Sequence, residues 1–370
     1  MSKKAWIAII AVAVTVVVTL WFTLQPDEKS QKGATIRIGA LLPLTGDAAP
    51  YGNFTKEGIL VGVDKANELL KARSMRLEVV FEDSRGNPKD GLSAAQKLIE
   101  VDKVSAIVDD AVSGVTLAVV PVCDSKQVVL LSTGSTSPKL SGISKYFFRI
   151  WNSDAEEGQF TADYVVRELK PRKVAILYIN NEYGVGLRQV FSDTLAKANV
   201  SIAASESFAE GATDLRGQLV KIAVSKPDAV YLIAYPKEAK LALKQAKQLA
   251  LQTTWMGTVV MLEPEMPKLL TDLSYTMHFP KPQAPGKESP AVQEFQERFR
   301  RMYSKDPPVL ADVGYDGTVL IAMALARGAS DGSSIRTALA DAGPVDLASG
   351  TIKFDGNGDV HKPMVMQKLP

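Results

Sequence analysis

The segments IRIGALL (residues 36–42), NFTKEGILVGVDKANELL (53–70) and LEVVF (77–81) decide the fold class of this chain. The first and last are short apolar runs typical of strands, and the middle one has the length and spacing of an amphipathic helix. A strand, a helix and a second strand of these lengths predict a parallel βαβ unit. We expect the resulting sheet to have helices on both faces.

The same alternation continues for about 200 residues and predicts two sheets. Further strands are expected at 106–108, 128–131, 146–150, 174–179, 201–207 and 229–234, and further helices at 88–102, 113–125, 154–169, 184–198, 215–224, 236–249, 290–303 and 309–327. Because the pattern restarts after residue 150, it predicts two Rossmann-like lobes of α/β class. We expect the proline-rich stretch 280–285 to connect the lobes, and residues 350–359 to form a strand, a tight turn and a second strand.

An unbroken apolar run from Ala5 to Leu24 follows Lys3 and Lys4. A helix of about 20 residues spans roughly 30 Å, the thickness of a bilayer's hydrocarbon core. Lysines before the run predict a cytoplasmic N-terminus, with the rest of the chain on the periplasmic side of the inner membrane. We expect residues 1–30 to be a membrane anchor, and a cleaved signal is the alternative.

Composition excludes several classes of protein. The formal net charge is +2, so no nucleic-acid partner is expected. A single cysteine, Cys123, forbids an intrachain disulfide and lies in an apolar stretch, where a buried inert thiol is expected. Neither histidine has the spacing of a metal motif, and nucleophile and phosphate-loop motifs are absent. We therefore expect no metal, no cofactor and no enzymatic activity.

Small hydroxyl-bearing residues follow two predicted strands, at Ser113 and at Gly134-Ser135-Thr136. In a doubly wound sheet, ligands bind at the carboxyl ends of strands. Hydroxyls and free N–H groups at a helix start can hold a carboxylate. The ordinary alternative is a helix cap and a loop, since serine is common in both.

Three tyrosines, Tyr51, Tyr183 and Tyr235, also follow predicted strands. An aromatic ring with one polar end suits the wall of a cleft that takes an apolar group. Half-buried packing is the alternative for each of them taken singly.

In its order of motifs the chain resembles the leucine/isoleucine/valine-binding proteins, which are type I periplasmic solute-binding proteins of ABC importers. The motifs are IRIGALLPLTG (36–46), Tyr51-Gly52, Asn87-Pro88, LSTGST (131–136), NEYG (181–184) and the segment 350–359. The resemblance implies two lobes that close on a small solute, with lobe 1 at 36–151 plus 280–350 and lobe 2 at 152–279 plus 351–370. It also implies ABC permease subunits as partners.

The resemblance assigns the site residues as well. By position, Ser113, Gly134, Ser135 and Thr136 match the family's carboxylate-gripping set, and the three tyrosines match its aromatic positions. The family's amino-acid binders carry an acidic residue shortly after Met-Gly, where this chain has Val259. Since burying an ammonium without a counter-charge is costly, we expect a carboxylate ligand with an apolar or aromatic body rather than a standard α-amino acid.

Two alternatives stay open at this point. A carboxyl group from Glu263, Glu265, Asp109 or Asp110 could replace the lost one and restore amino-acid binding. The same fold could also act as a sensor that reports its ligand to a separate membrane partner.

Overall fold

The computed structural model describes residues 34–109, 112–283 and 285–370. The expected membrane anchor at residues 1–30 lies outside these ranges, as does Asp110. Within them, no helix is both long and apolar enough to cross a membrane.

Strands and helices alternate along the described chain. The strands are Ala34–Leu42 (β1), Met75–Asp83 (β2), Ala106–Asp109 (β3), Val129–Ser132 (β4), Phe147–Arg149 (β5), Lys173–Ile179 (β6), Ser201–Phe208 (β7), Ala229–Ile233 (β8), Thr254–Met256 (β9), Met277–Pro282 (β10), Val345–Leu347 (β11), Gly350–Ile352 (β12) and Met364–Leu369 (β13). The helices are Ala49–Leu70 (α1), Pro88–Glu100 (α2), Ser113–Lys126 (α3), Asp154–Tyr164 (α4), Glu182–Lys197 (α5), Arg216–Ser225 (α6), Pro236–Gln248 (α7), Met266–Leu273 (α8), Pro290–Tyr303 (α9), Ala311–Ala326 (α10) and Gly332–Ala340 (α11).

The strands form two main sheets, which confirms the expected two-lobed α/β architecture. The first sheet is parallel, in the order β2-β1-β3-β4-β5. The second has the order β13-β10-β9-β8-β6-β7 and is parallel except for β13, which pairs antiparallel with β10. Strand order reverses beside β1 in the first sheet and beside β6 in the second, and these reversals are where ligands bind in such sheets.

Each sheet has its own hydrophobic core. On one face of the first sheet, Ile38, Val108 and Leu131 pack with side chains of α1 and α10, and the second sheet packs separately against α4 to α8. The helices α1 and α10 approach so closely that a Cβ added to Gly58 would lie 1.8 Å from the carbonyl oxygen of Ala311. Cys123 is buried on the other face of the first sheet, as predicted.

The C-terminal segment passes from one core to the other. Ile352, Phe354 and Val360 pack in the first core, whereas β13 extends the second sheet. From this packing we propose that the chain's last passage between the lobes lies between Val360 and Met364, instead of near residue 350.

Residues 280–282 extend β10, because Pro280 lies beyond the positions where β10 pairs with β9 and its missing N–H removes no bond of that ladder. The helix α9, which comes next, packs in the first core, and the connection of the lobes at 280–285 stays a prediction. One local expectation was wrong. The segment after β12 makes a turn from Asp355 to Asp359 but no second strand, because β12 pairs with β11 before it. The helix α1 also begins earlier than expected, with Pro50 in its first turn.

Candidate functional site

A cavity lies where the carboxyl ends of both sheets meet. It contains about 620 Å³ of space, part of it open to solvent. Its walls are Tyr51, Gly134, Thr136, Trp151, Tyr183, Tyr235, Val259, Val260, Leu262, Glu263, Val309 and Leu310. These residues follow strands of both sheets, so the cavity lies between the two lobes.

The polar loop after β4 is organised by Ser113 at the start of α3. The hydroxyl oxygen of Ser113 accepts hydrogen bonds from the backbone N–H groups of Thr136 (3.2 Å) and Ser137 (3.1 Å). The two polar strand ends that the sequence singles out are therefore in direct contact. Of the four expected ligand-gripping residues, Gly134 and Thr136 line the cavity. Ser113 and Ser135 are buried behind them.

The Ser135 side chain lies in a buried hydroxyl network. Its hydroxyl is 2.7 Å from that of Thr116, which donates to Asp109 at 2.5 Å. Asp109 thus lies at the end of β3 with its carboxylate turned to these hydroxyls. It does not line the cavity, so it is not placed to replace the acidic residue lost at Val259.

A buried ion pair supports the loop from below. The guanidinium of Arg149 contacts the Asp359 carboxylate at 2.6 and 3.1 Å and donates to the carbonyl of Ser137 at 3.1 Å. It also donates to the Ser141 hydroxyl at 2.6 Å. Because these donors converge on the 135–141 segment, Arg149 fixes the backbone that presents Thr136 to the cavity.

The three expected tyrosines all reach the cavity, from α1 (Tyr51), the start of α5 (Tyr183) and the start of α7 (Tyr235). Tyr183 and Tyr235 stack, with ring centroids 5.6 Å apart and 13° between their planes. The Tyr183 hydroxyl donates to Thr258 at 2.9 Å. The Tyr51 hydroxyl is buried and has no hydrogen-bond partner among the described residues, and burial raises the pKa of this tyrosine well above its usual value. It is therefore a neutral donor open to a ligand.

Glu263 is the charged residue of the cavity wall. Val259 lines the cavity as expected, and Glu263 lies in the same wall. The ammonium of Lys240 lies 3.1 Å from Glu263 and 2.9 Å from Glu265. Glu263 therefore reaches the cavity already paired with a lysine that it shares with Glu265, and Glu265 does not line the cavity.

Two further carboxyl groups lie directly behind the wall. Asp154 and Glu157 occupy the first turn of α4 and are almost completely buried. The Thr136 hydroxyl donates to Asp154 at 2.9 Å. Burial raises the pKa of Asp154 to about 7, and burial together with the nearby Asp154 raises the pKa of Glu157 well above its usual value.

The lobes are closed on one another in this structure. Val259, which follows the second sheet, packs against the core of the first. Lys237 pairs with Asp47 across the mouth of the cleft at 2.8 Å, and Lys139 pairs with Glu182 at the same distance. The cavity thus lies between two lobes that contact each other across the cleft.

Sequence reasoning missed part of this site. Trp151, Val309 and Leu310 line the cavity, yet they are apolar residues in connecting segments and carry no sequence signal of a ligand contact. Asp154 and Glu157 read as the ordinary acidic first turn of a helix. Among the described residues, no group of three or more acidic, histidine or cysteine side chains could hold a metal ion.

A family model described as periplasmic binding protein matches residues 35–370. The chain belongs to the periplasmic binding protein family. A Leu/Ile/Val-binding protein homolog from Brucella melitensis is 25% identical over 335 residues, which cover 89% of this chain and 90% of that protein. These findings confirm the resemblance seen in the sequence motifs.

Solved structures agree with this assignment. The branched-chain amino acid transporter substrate binding protein LivJ from Streptococcus pneumoniae, in complex with isoleucine, has a TM-score of 0.80 at 26% identity, covering 90% of this chain and 95% of its own. A solute binding protein of an ABC transporter from R. palustris, in complex with 4-hydroxybenzoate, has a TM-score of 0.80, covering 90% and 92%. At 20% identity, the second similarity supports the fold alone. The protein is a solute-binding protein of the type I fold.

Proposed function

We propose that this binding protein captures a small carboxylate with an apolar or aromatic body and delivers it to an ABC-type importer. The observation that carries the proposal is the interlobe cavity, with Gly134 and Thr136 on one wall and the stacked Tyr183 and Tyr235 on another. LivJ from Streptococcus pneumoniae holds isoleucine, a carboxylate with an apolar body, and this supports the ligand class. Gly134 and Thr136 would contact the carboxylate, with Ser113 and Ser135 holding their loop from behind. The Tyr51 hydroxyl would be a further donor to the carboxylate, and Tyr183 and Tyr235 would surround the body.

The proposal also specifies that the ligand has no amino group. Val259 stands where an acidic partner is expected, and Glu263, the carboxylate in the same wall, is already paired with Lys240. A ligand ammonium would therefore enter a wall without a free counter-charge, which is costly. A des-amino acid avoids this cost.

Matched pairs of ligands test this directly. Thermal shift and calorimetry would compare leucine with 4-methylpentanoate, and phenylalanine with 3-phenylpropanoate. A ligand that binds only the folded state raises the melting temperature by mass action, so we expect the des-amino partner of each pair to give the larger shift. Larger shifts with both amino acids would refute the des-amino assignment, and no shift with any of the four would refute the carboxylate class.

A variant of Tyr51 separates the cavity from the rest of the fold. Tyr51→Phe removes only the buried hydroxyl, and a hydrogen bond to a charged group contributes about 1.5–3 kcal/mol, so the Kd for a carboxylate should rise roughly 10- to 100-fold. Tyr303→Phe, outside the cavity, is the control and should leave the Kd unchanged. An unchanged Kd in Tyr51→Phe would place the ligand elsewhere.

We also propose that the protein works on the periplasmic side of the inner membrane, held by its N-terminal apolar run. The run's length and the two lysines before it support this placement. N-terminal sequencing of the mature protein and alkaline extraction of membranes would test it. A mature chain that starts after residue 24 and is released by extraction would show a cleaved signal in place of an anchor.

A further inference from the structure

Two carboxyl groups on one turn of α4 are buried without full hydrogen bonding. Asp154 is 0% exposed and Glu157 is 2% exposed. Asp154 Oδ1 and Glu157 Oε1 have no hydrogen-bond partner among residues 34–109, 112–283 and 285–370. Neighbouring buried carboxylates repel each other and lose hydration, so such a pair holds a proton more tightly than an exposed carboxyl group does.

The groups around the pair do not neutralise two negative charges. Arg149 lowers the pKa of Asp154, but its guanidinium is already paired with Asp359. The backbone N–H of Val259 favours the charged form of Glu157. One cation shared with a third carboxylate and one N–H group leave the pair under-compensated.

Tyrosines complete the surroundings of the pair. Tyr183 from α5 and Tyr231 from β8 face it, and burial raises the pKa of both well above the usual value, so they stay neutral. The strands β10 and β13 also pack on α4, and none of their described side chains contributes a charge to the pair. Burial is thus the largest influence on the pKa of both carboxyl groups. The Thr136 hydrogen bond and Arg149 oppose it at Asp154, and the charge of Asp154 adds to it at Glu157.

The pair is connected to the cavity by a single hydroxyl group. Thr136 lines the cavity, and its Oγ1 lies 2.9 Å from Asp154 Oδ2. A hydroxyl has one proton to donate. When Asp154 is ionised, the Thr136 hydroxyl donates its proton to the Asp154 carboxylate. It can then only accept a hydrogen bond from a ligand. When Asp154 is protonated, it donates to Thr136, whose own proton is then free to point into the cavity.

We propose that Asp154 and Glu157 share a proton, and that this proton decides whether Thr136 donates to the ligand or accepts from it. The inference rests on the proposed function, because a ligand carboxylate needs a donor at Thr136. The protonated pair then favours a carboxylate, and the fully ionised pair favours a ligand that presents an N–H group. Asp154 and Glu157 are positioning residues that act through Thr136.

Calorimetry from pH 5.5 to 9 with 3-phenylpropanoate and its amide, 3-phenylpropanamide, tests the ligand side. At pH values above the midpoint of the pair's titration, we expect the Kd of the carboxylate to rise about tenfold per pH unit. This slope follows if one proton binds to the protein together with the ligand. Carboxylate binding in buffers of different ionisation enthalpy should then show uptake of about one proton. The amide, which can present an N–H group to Thr136, should lose no affinity as the pH rises and should show no proton uptake. A pH-independent carboxylate Kd with no proton uptake would overturn the proposal and leave the proposed function standing.

Variants distinguish the proposed action of Asp154 and Glu157 through Thr136 from a purely structural role. Asp154→Asn can donate permanently to Thr136, so it should keep the low-pH carboxylate affinity and lose the pH dependence. Glu157→Gln removes the like charge and should move the midpoint to lower pH. Thr136→Val should weaken carboxylate binding at every pH, and Thr136→Ser should restore it. Asp163→Asn, on the same helix, is the matched control and should reproduce the wild-type profile.

A measurement without ligand keeps the two proposals distinguishable. Carboxyl ¹³C NMR of the wild-type protein, assigned with Asp154→Asn and Glu157→Gln, should show a group of this pair that still holds its proton above pH 6. If both groups titrate below pH 5, the shared proton is excluded whatever the protein binds. If the proton is found but neither probe binds at any pH, the carboxylate assignment fails, and with it the role of the proton in ligand choice.

Discussion

The ammonium of Lys240 lies 3.1 Å from the carboxylate of Glu263, and this contact sets the charge of the cavity wall. Both side chains are only partly exposed. Lys240 also contacts Glu265, which keeps the lysine in place at the edge of the cavity. Glu263 is thus the carboxylate of the cavity wall that could pair with a ligand ammonium. In this structure the ammonium of Lys240 pairs with it instead.

Replacing Lys240 should change the ligand preference. In Lys240→Met, Glu263 keeps its position in the wall but loses its cation, so an amino acid finds a counter-charge and a des-amino acid meets a repulsive one. We expect the ratio of the leucine Kd to the 4-methylpentanoate Kd to fall about tenfold or more, the equivalent of roughly 1.4 kcal/mol. Calorimetry with both ligands measures it. Lys268→Met, which breaks the exposed pair with Asp272, should leave the ratio unchanged.

The ion pair of Arg149 and Asp359 should contribute strongly to stability. Arg149→Met leaves the Asp359 carboxylate buried and uncompensated and frees the 135–141 segment, a loss of about 3–5 kcal/mol in the free energy of unfolding. The double variant with Asp359→Asn should recover part of this loss. Urea denaturation measures both, and Arg216→Met, at an exposed pair, should cost no more than about 1 kcal/mol. Equal losses in Arg149→Met and Arg216→Met would contradict this account.

Much of the fold could be predicted from local sequence patterns. The strands before Ser113 and Gly134 and the tyrosines after β1, β6 and β8 follow from hydrophobic periodicity and from the rule that strand ends carry ligand contacts. Both signals lie within a few residues of the features they predict. Local sequence was therefore enough to single out the two polar strand ends as candidate ligand contacts.

Long-range pairing could not be predicted in this way. Arg149 and Asp359 are 210 residues apart, and nothing in either segment marks them as partners. The turn after β12 was expected to precede a second strand, because the sequence does not show that β11 already pairs with β12. The burial of Glu157 is likewise a property of the packed helix and not of its acidic sequence.

The close contact between α1 and α10 should make Gly58 intolerant of any side chain. In Gly58→Ala the new Cβ would meet the Ala311 carbonyl at 1.8 Å, and a backbone atom cannot move away without displacing the helix. We expect a loss of at least about 2 kcal/mol in the free energy of unfolding. Gly217→Ala, in α6 with no atom within 4 Å of the new Cβ, should be neutral or stabilising by up to about 1 kcal/mol. Denaturation midpoints that are alike in the two variants would show that the helices can separate freely.

The ion pairs across the cleft mouth should tune closure only weakly. Both lysines and both of their partners are about half exposed. Such pairs contribute little, because water and salt screen them. We expect the double variant Lys139→Ala/Lys237→Ala to raise the ligand Kd by no more than about 30-fold at low salt, with little effect left at 0.5 M NaCl. Lys221→Ala, whose partner Glu206 lies in the same lobe, should not change the Kd. A loss of several hundredfold that persists at high salt would mean that these contacts control closure.

The raised pKa of Asp154 predicts an unusual dependence of stability on pH. The unfolded carboxyl group titrates near pH 4, whereas the folded one titrates at about 7. Between these values the folded state holds a proton that the unfolded state has lost, so this group's contribution to stability is complete below about pH 4, declines as pH rises to about 7 and is flat above it. The decline is at most about 1.4 kcal/mol per pH unit.

Urea denaturation at pH 5, 6, 7 and 8 should therefore give a steeper fall for the wild type than for Asp154→Asn, with the variant relatively more stable at pH 8. His361, whose pKa is raised by Glu156, also loses stabilising charge as pH rises, but it does so equally in both proteins and cancels in the difference. Parallel pH profiles for the two proteins would show that Asp154 is ionised throughout this range.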